Sequence, residues 1–599
     1  MSLPYNQRTC YCGEVGLDRL GQTVLLVGWV HSRRDLGGMI FIDLRDRAGL
    51  VQLKFDPQVE PAAHGVAHKV RPEFCLVVRG TVAARPPGLV NPNLRTGAVE
   101  VEVREIEVLS ESQTPIFEIA DEISTSEETR MEYRFLDLRR RPMQRALLLR
   151  HRICKTIRDY FDEHGFVEIE TPFLTKSTPE GARDYLVPSR IQPGCFYALP
   201  QSPQLFKQLL MIGGFDRYVQ LVRCFRDEDL RADRQPEFTQ LDVEMSFVRP
   251  DDVMHICEGF LVRLVKELHG IEVPTPFPRM TYDQAMREYG IDRPDTRYDL
   301  RIRDVSHIAA KLDFAVFRDA LAAGGVVRCI SVPGGGAMTR KETDTLTNDV
   351  KGIGAGGLPL VKVAAEGGRP VLQTGVAKFF SAETTAELLA VTAAQPGDLI
   401  LFAADTEANV CRYLSWLREQ IAKRRGLIPG GRWNFLWVVE FPMFERDPQS
   451  GRCVAVHHPF TAPRDQDLER LETDPFGCRA QAYDVVLNGI ELGGGSIRIH
   501  RADVQQRVFR LLQLSPQEQE QKFGFLLRAL RYGPPPHGGI AFGLDRIVML
   551  MLGQDNIRDT IAFPKTARAI CPLTGAPAPV AQAQLDELGL RLAAPPRGT

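Results

Sequence analysis

The feature that most constrains the fold is a dense run of charge between two stretches that have the pattern of strands. The segment FRDEDLRADRQPEFTQLDVE, residues 225–244, contains seven acidic residues and three arginines. Apolar and polar residues alternate on both sides of its centre, as they do in a half-buried strand. Leu241, Val243 and Met245 fall on one face, and the polar residues between them fall on the other. We therefore predict a long antiparallel hairpin with a charged connection of about ten residues.

Two interpretations of this hairpin are open. A run of charge is most often a solvated loop. The strand face that carries Gln240, Asp242 and Glu244 is polar, however, and could line a cavity. The connection also contains three permanently charged forks that suit phosphate groups, Arg226, Arg231 and Arg234.

The composition limits the class of protein. The chain has 599 residues, enough for several domains, with 44% hydrophobic and 25% charged residues, which is ordinary for globular protein. Its twelve cysteines include no C-x-x-C pair, which excludes a zinc ribbon and favours a reducing cytoplasm. We find no long apolar span and no signal peptide, so no membrane is expected. A net charge of −2 gives no general support for nucleic-acid binding, which would depend on local patches.

The composition and the spacing of apolar residues divide the chain into six segments. Residues 1–108 contain short alternating runs with Gly or Pro between them, which predicts a small β-barrel; the oligonucleotide-binding OB-fold is one option. Residues 109–141 form a polar linker. Helical spacing from Pro142 and a strand before Pro172 open an α+β body centred on an antiparallel sheet. We divide the remainder into the body at 142–289, a folded insertion at 290–425, the resumed body at 426–572 and a Pro- and Ala-rich extension at 573–599.

Three further positions suggest chemistry. Two arginines precede Phe41, a combination that suits single-stranded bases, although Phe41 could equally be a core residue of a hairpin. Asp484 and Glu491 flank an apolar strand and could hold Mg²⁺, which takes few protein oxygens, or could be separate surface carboxylates. Arg546 lies between GGIAFGL and IVMLML, where a charge needs a partner or a ligand.

These stretches resemble a known family. Residues 225–244 look like motif 2 of the class II aminoacyl-tRNA synthetases, GIAFGLDR looks like motif 3, and GFVEIETPFLT looks like motif 1. TPEGARDYLVP and QSPQLFKQLLM resemble the bacterial type of aspartyl-tRNA synthetase, in subclass IIb, and the resemblance covers almost the whole chain. It implies an α+β multidomain protein with an N-terminal OB-fold barrel, a class II antiparallel-sheet catalytic domain and an inserted α+β domain of the GAD type.

The resemblance also implies an activity. The enzyme would activate L-aspartate with ATP and Mg²⁺ to aspartyl-adenylate and transfer it to the 3′ end of tRNA(Asp). It would be a cytoplasmic homodimer that pairs through motif 1. No Ser–His–Asp or Cys–His arrangement is required for this chemistry, and none is evident in the sequence.

Site residues follow from the resemblance, position by position. Arg226 and Arg546 would be catalytic. The ATP site would contain Arg226, Asp227, Glu228, Gln235, Phe238, Glu491, Gly543, Leu544, Asp545 and Arg546, with the metal on Asp484 and Glu491. Aspartate would be bound by Glu180, Ser202, Gln204, Lys207, Arg226, Asp242, His457 and Arg498, while His458 would only pack. The anticodon would contact Arg34, Phe41, Gln52, Arg85 and Glu100, and the acceptor end would contact Glu228, Arg231 and Arg234.

Three alternatives are open. An asparaginyl-tRNA synthetase shares motifs 2 and 3, but the insertion and TPEGARDYLVP favour the aspartyl type. A non-discriminating enzyme would also charge tRNA(Asn); Leu36 favours the discriminating type and Gly88 the opposite. A non-catalytic RNA-binding paralogue would have lost one or more of the residues that carry the chemistry. All four are present: Arg226, Asp484, Glu491 and Arg546.

Overall fold

The N-terminal part of the chain closes into a five-stranded barrel. The computed structural model describes residues 2–178, 181–228 and 234–593. The barrel elements are β1 (Thr23–Leu36), β2 (Met39–Asp46), β3 (Gly49–Phe55), α1 (Pro61–Ala67), β4 (Cys75–Ala84) and β5 (Val99–Ser110), with the strand order β1-β2-β3-β5-β4. Alternate apolar residues of each strand point inward, so that Leu26, Ile42, Leu53 and Val101 are fully buried. The barrel predicted from the sequence is confirmed.

A buried ion-pair network ties the barrel to the linker. The linker contains two short helices, α2 (Glu127–Glu132) and α3 (Arg134–Asp137). Glu73 of the barrel is 5% exposed and accepts hydrogen bonds from Arg45, also of the barrel, and from Arg139, just after α3, each at 2.7 Å. Arg139 also lies over the ring of Trp29, 4.9 Å from its centroid. A single carboxylate therefore joins the barrel to the chain that enters the body.

The body is built on an eight-stranded sheet. Its first half contains α4 (Arg141–Glu163), β6 (Val167–Glu168), β7 (Leu186–Pro188), β8 (Phe196–Ala198), α5 (Gln204–Ile212), β9 (Arg217–Phe225), β10 (Glu237–Ser246), α6 (Pro250–His269), β11 (Arg279–Thr281) and α7 (Tyr282–Tyr289). As predicted, α4 has Pro142 in its first turn and ends before Gly165, which adopts a φ of 76° that favours glycine.

The chain then forms a second, five-stranded sheet before it returns to the body. The elements here are β12 (Ile302–Asp304), α8 (Ser306–Ala309), α9 (Ala315–Ala322), β13 (Val326–Val332), α10 (Arg340–Gly352), β14 (Leu360–Glu366), β15 (Arg369–Gln373), α11 (Ala382–Thr392), β16 (Leu399–Asp405) and α12 (Glu407–Arg424). The strand order is β12-β13-β16-β14-β15. The glycine-rich stretch at 352–357 joins α10 to β14, so it is a helix-to-strand connection and lacks the strand-to-helix setting of a phosphate loop.

The second half of the body completes the large sheet. Its elements are β17 (Phe435–Val439), β18 (Phe444–Arg446), β19 (Cys453–Ala455), β20 (Ala482–Leu487), β21 (Ile490–Ile497), α13 (Ala502–Leu511), α14 (Pro516–Ala529), β22 (His537–Gly543) and α15 (Leu544–Leu552), followed by α16 (Gln582–Glu587). The sheet order is β11-β17-β20-β21-β22-β10-β9-β6. Strands distant in sequence thus meet at its centre, where β10 pairs with β22.

The sheet departs from the prediction at its edges. The six central strands are antiparallel, but the edge strands β6 and β11 each pair in parallel with their neighbour. The strand predicted before Pro172 is confined to Val167 and Glu168, and its last backbone bond to β9 is the one that Ile169 donates to Val219, at 3.3 Å. An edge strand has a partner on one side only, so the chain leaves the sheet early.

One face of the sheet is covered by helices, whereas the other is covered only in part, by a second core that includes Leu436, Val438 and Val508, and carries an open polar region. The covered face packs on α4, α6 and α15 through a core that includes Ile157, Phe260 and Ile547. Leu241 and Val243 of β10 point into this core, as the alternation predicts. Among the described residues, the helices are all too short or too polar to span a lipid bilayer.

Candidate active site

A cavity of about 660 Å³ lies in the open, polar region of the large sheet. Most of the predicted site residues line it: Ser202, Gln204, Lys207, Arg226, Glu228, Arg234, Gln235, Phe238, Asp242, His457, Asp484, Glu491, Arg498, Gly543, Asp545 and Arg546. They come from β10, β20, β21 and β22, from the connection between β9 and β10, from the starts of α5 and α15, and from the loop before Phe460. Residues separated by more than 300 positions therefore converge because the central strands are neighbours.

The hairpin predicted around the charged run is present. β9 and β10 pair in antiparallel register, with Asp242 opposite Gln220 and Leu241 opposite Leu221. The connection spans residues 226–236. Two residues proposed from the sequence, Glu180 and Arg231, lie outside the described residues. The polar face of β10 lines the cavity, so this strand carries binding groups on one side and core residues on the other.

Four buried charges form the floor of the cavity. Lys207 Nζ donates to Asp242 Oδ1 at 2.6 Å and lies 3.2 Å from Glu244 Oε2. Arg498 Nε and Nη2 each donate to a Glu244 oxygen at 3.0 Å. Each of these four side chains is at most 3% exposed. The two cations and two carboxylates neutralise one another, which a buried position requires.

The pKa values of the two carboxyls move in opposite directions. Burial raises the pKa of Glu244, but Arg498 and Lys207 outweigh burial and bring the pKa down to about 2. Burial also raises the pKa of Asp242, and there Lys207 only reduces the effect. Glu244 is therefore held as an anion more firmly than Asp242, because it faces both cations.

Arg498 is more fully engaged than its sequence suggests. Besides the two bonds to Glu244, its Nη1 donates to Ser496 Oγ at 2.7 Å and lies 2.9 Å from His458 Nε2. A guanidinium has five N–H donors, so these contacts leave one on Nη2. The bidentate fork expected to face substrate is held by Glu244. His458 contacts Arg498, so the expectation that it only packs is wrong.

His458 and His457 are both neutral near pH 7. Arg498 only donates, so His458 Nε2 must accept. Burial, followed by the nearby Arg498 charge, lowers the pKa of His458 well below its usual value and brings the pKa of His457 to about 4. Neutral imidazoles add no further positive charge to the floor of the cavity.

Three buried polar atoms in the cavity lack a hydrogen-bond partner among the described residues. They are Asp242 Oδ2, Gln204 Nε2 and His457 Nε2. An unpaired buried polar atom costs about 1–3 kcal/mol, so such atoms are expected where a ligand supplies the partner. Asp242 Oδ2 is an acceptor and Gln204 Nε2 is a donor, which together suit a molecule with an ammonium and a carboxylate.

The other end of the cavity combines an aromatic ring with cations. The guanidinium of Arg226 lies 5.1 Å from the centroid of the Phe238 ring. Arg546 Nη1 donates to the carbonyl of Glu491 at 3.1 Å. Gln235 is held by the backbone of Lys565, with its Nε2 donating at 2.9 Å and its Oε1 accepting at 2.8 Å. A flat base and a phosphate chain both match this arrangement.

Remaining members of the predicted ATP set point elsewhere or have partners. Leu544 is 1% exposed and belongs to the core under the sheet. Asp227 forms a bridge and an ion pair with Arg183, at 3.6 Å. Glu228 and Arg234 pair with each other at 3.1 Å, at the two ends of the undescribed stretch of the connection. The side chain of Leu544 therefore cannot contact a nucleotide, whereas Glu228 and Arg234 line the cavity.

Asp484 and Glu491 lie on adjacent strands. Burial, then the charges of Glu491 and Asp292, raise the pKa of Asp484 well above its usual value. A divalent cation would relieve this repulsion, and the carboxylate oxygens are the ligands that Mg²⁺ prefers, so these residues fit the ion. Within the described residues, no three acidic, His or Cys side chains are grouped so that they could hold a metal ion.

Close packing around β21 explains why glycines occupy positions 493–495. A Cβ on Gly494 would lie 2.5 Å from Asp484 Oδ1, and a Cβ on Gly495 would lie 2.1 Å from the carbonyl oxygen of Gly539. The close approach expected from these glycines is therefore toward β22 and toward the carboxylate of Asp484.

The barrel gathers its predicted anticodon residues on one outer face. Gln52 Nε2 donates to Glu100 at 2.9 Å, and Arg34 Nη2 donates to Gln52 at 3.2 Å. Phe41 pairs with Arg34 across β1 and β2. Arg85 Nη2 is buried without a hydrogen-bond partner among the described residues. The face therefore combines a ring, amide and carboxylate edges and a cation.

Comparisons with known proteins agree with this geometry. The family model "tRNA synthetases class II (D, K and N)" matches residues 126–567, and "OB-fold nucleic acid binding domain" matches residues 24–109. The chain belongs to the class II tRNA synthetases. Proteins of this family use ATP and a divalent metal ion.

Curated relatives match over nearly the whole length. The chain is 53% identical to aspartate–tRNA ligase of Macrococcus caseolyticus, over 98% of this chain and 99% of the relative. It is 54% identical to aspartate–tRNA(Asp/Asn) ligase of Bacillus subtilis, over 98% of each. A solved structure of asparaginyl-tRNA synthetase from Pyrococcus horikoshii with asparaginyl-adenylate superposes with a TM-score of 0.57 at 20% identity, covering 93% of this chain and 98% of that one, and shows the shared fold.

Several residues of the site were given no role from the sequence. Glu244 was placed with Asp242 on the polar face of β10, but its pairing with Arg498 was not predicted. Ser496 lies two residues before Arg498, so alternation carried a signal for it. Asp292 had no such signal, because it reaches Asp484 from a segment distant in sequence. Arg150, which binds Asp545, is 395 positions away from it.

Proposed function

We propose that this chain ligates L-aspartate to tRNA(Asp) in an ATP-dependent, AMP-forming reaction. The family and the near-full-length relatives establish an aspartate–tRNA ligase. The observation that carries the choice of substrate is the buried charge cluster of Lys207, Asp242, Glu244 and Arg498, beside unpaired atoms that match an amino acid.

The amino acid can be placed by pairing its charges. Its ammonium would meet the unpaired Asp242 Oδ2, and its side-chain carboxylate would meet Lys207 and Arg498. Two of the three ammonium hydrogens of Lys207 are directed at Asp242 and Glu244, and Arg498 retains one N–H on Nη2. The hydrogens that remain can only donate, so they bind a carboxylate, whose oxygens accept, and repel the NH₂ of asparagine, which also donates.

The nucleotide would occupy the opposite end of the cavity. Adenine would stack on Phe238, Arg226 would grip the α-phosphate, and Arg546 would contact ATP from the other side. Glu228 and Gln235 would contribute polar contacts, and Gln235 is already oriented by Lys565. Mg²⁺ on Asp484 and Glu491 would neutralise phosphate charge.

The first chemical step requires little proton transfer. The α-carboxylate of aspartate attacks the α-phosphorus, its bond to oxygen forms as the bond to pyrophosphate breaks, and aspartyl-adenylate results. Arg226 and Arg546 stabilise the negative charge that grows in the transition state, which is usually the largest catalytic contribution. The 3′-hydroxyl of the tRNA then attacks the anhydride carbonyl, and AMP leaves.

The tRNA would contact the chain at two places. Glu228 and Arg234 line the cavity and would meet the acceptor end, and we assign the same role to Arg231 from its position in the sequence. Arg34, Phe41, Gln52, Arg85 and Glu100 would read the anticodon on the barrel by stacking and by hydrogen bonds to base edges. The relatives include an aspartate–tRNA ligase and an aspartate–tRNA(Asp/Asn) ligase, so charging of tRNA(Asn) is a second candidate activity.

A homodimer built on motif 1 is the assembly we propose. Large apolar side chains around α4 and β6 are about half exposed: Leu148, Val167, Phe173 and Leu174. Exposed apolar residues grouped in this way are typical of protein interfaces. Sedimentation at micromolar concentration should give twice the chain mass, whereas a monomer would contradict the assembly. The twelve free cysteines of the structure suit the reducing cytoplasm in which we place the enzyme.

Pyrophosphate exchange tests the chemistry. Purified protein should exchange labelled pyrophosphate into ATP when aspartate is added, and far less when asparagine is added. Aminoacylation of purified tRNA(Asp) and tRNA(Asn), run side by side, then distinguishes the two candidate specificities. Absence of aspartate-dependent exchange would overturn the proposed function.

A further inference from the structure

Arg150 of α4 lies behind the nucleotide end of the cavity, on the covered face of the sheet. Its Nη1 donates to Asp545 Oδ1 at 2.5 Å, and its Nη2 donates to Thr239 Oγ1 at 3.1 Å. Asp545 Oδ2 also accepts the backbone N–H of Thr239 at 3.0 Å. Arg150, Asp545 and Thr239 thus close a ring of three hydrogen bonds that joins α4, β10 and α15.

The ring is next to two residues that would contact ATP from its two sides, Phe238 and Arg546. Phe238 precedes Thr239 on β10 and, by alternation, faces the cavity, while Thr239 faces the covered side. Arg546 follows Asp545 in the first turn of α15. The distance between Phe238 and Arg546 therefore depends on the hydrogen bonds that connect Thr239 to Asp545.

Burial makes this ring rigid. The side chain of Asp545 is 5% exposed and that of Arg150 is 17% exposed, so water competes weakly for either charge. Arg150 Nη1 also donates to the carbonyl of Thr560 at 3.3 Å, which fixes the guanidinium from another side. Removal of the cation would leave a buried carboxylate without its partner, and such a carboxylate draws in water or shifts its backbone.

We propose that Arg150 is a positioning residue for ATP, which acts through Asp545 and Thr239 to hold Phe238 and Arg546 at the separation that the nucleotide requires. The proposal rests on the ATP site described above. It assigns to the motif 1 helix a direct mechanical link to the nucleotide end of the cavity, separate from any contact that the helix makes with a second subunit.

The test compares three variants of the full-length enzyme. Arg150→Met keeps the length of the side chain and removes its charge. Thr239→Val removes one hydroxyl, keeps a β-branched residue in a strand, and is expected to fold. Arg152→Met removes an exposed arginine of the same helix as the matched control. ATP and aspartate are titrated separately in pyrophosphate exchange, and ATP binding is also measured by equilibrium calorimetry without aspartate.

We expect Arg150→Met to raise the KM and the Kd for ATP about tenfold, with the KM for aspartate changed less than about twofold. Thr239→Val should give the same selective change at about threefold, and Arg152→Met should match the wild type. A purely structural role would lower the amount of active enzyme or raise both KM values together, and either result would overturn the proposal. If Arg150→Met does not fold, Thr239→Val decides alone: an unchanged Kd for ATP rejects the inference.

The calorimetric measurement of ATP binding distinguishes failure of this proposal from failure of the proposed function. If the wild type binds ATP but shows no aspartate-dependent exchange, the amino-acid assignment fails, and the Kd for ATP in the variants still tests Arg150. If the wild type exchanges normally and the variants bind ATP as it does, only the role of Arg150 fails.

Discussion

Buried charges at the floor of the cavity balance one another before any substrate arrives. Lys207 and Arg498 are matched by Asp242 and Glu244, and we assign the donors that remain to the carboxylate of the substrate. Selectivity at the scale of single residues therefore depends on which hydrogens are left over. Sites of this kind reject an analogue with the wrong donor pattern by factors of about 10⁴–10⁵, because its polar groups leave buried atoms unpaired.

Arg498→Leu tests this selectivity. The variant should lose most aspartate activation while its affinity for ATP changes little, since Arg498 lies at the amino-acid end. Arg498→Lys should restore only part of the activity, because one ammonium cannot bind both oxygens of Glu244 and also face substrate. The measurement is kcat/KM for aspartate and for asparagine in pyrophosphate exchange. An unchanged preference for aspartate in Arg498→Leu would show that another residue discriminates.

Arg226→Ala tests the catalytic cation. Arg226 lies at the start of the charged connection and over the ring of Phe238. Loss of one preorganised charge-stabilising group typically reduces kcat by about 10²–10³. We expect that reduction in aspartate-dependent pyrophosphate exchange, with Arg183→Ala as a control on a neighbouring exposed arginine. Near-normal exchange in Arg226→Ala would contradict its assignment.

At the scale of elements, the loop that leads to Phe460 places two neutral histidines against a cationic floor. Both histidines can be protonated in the unfolded chain but stay neutral in the folded protein, so they reduce the free energy of unfolding at acidic pH. The pKa of His457 is about 4 in the folded protein, below the ordinary value of 6.5, owing to burial and then to Arg498. Between these two pH values the unfolded state binds a proton that the folded state does not, so the free energy of unfolding decreases as the pH falls.

The expected loss from His457 alone is about 2 kcal/mol at pH 5, relative to pH 7 and above. His457→Gln has no proton to bind at this position, so its melting temperature should fall less than that of the wild type between pH 7 and pH 5. His255→Gln, an exposed histidine of α6, is the control and should follow the wild type. Equal slopes for wild type and His457→Gln would mean that the imidazole is not held neutral by burial.

At the scale of the whole molecule, the proposed anticodon face is on the barrel and the cavity is on the large sheet of the body. The barrel is joined to the body through the linker and through Glu73, which binds Arg45 and Arg139. The proposed anticodon face and the cavity each have their own sheet and core. Substitutions on one should therefore leave the local chemistry of the other intact.

Three single substitutions on the barrel test this division: Phe41→Ala, Gln52→Ala and Glu100→Ala. Each should weaken charging of tRNA(Asp), with Phe41→Ala costing roughly 1–3 kcal/mol of RNA binding through the lost stack. Exchange of pyrophosphate should match the wild type, since activation takes place in the body. A loss of exchange as large as that in Arg226→Ala would refute the separation.

Local patterns were enough to predict a large part of this protein. Alternation gave the β9–β10 hairpin, its core face and its polar face, and short Val-rich runs gave the barrel. Pro142 and Gly165 marked the two ends of α4. These features depend on residues a few positions apart, whose backbone preferences and side-chain directions are set by covalent geometry. The quoted motifs then indicated the family and the residues of the site.

Only the tertiary structure decided which charges meet. Glu244 binds Arg498 across 254 positions of sequence, and Arg150 binds Asp545 across 395. No local sequence period relates such residues. The sequence therefore suggested that the guanidinium of Arg498 is available to substrate, whereas in the fold it is paired with Glu244. The role of Arg150 could not be predicted from the sequence at all. Strand order in the large sheet determines these pairs, because a buried charge takes its partner from whichever element packs beside it.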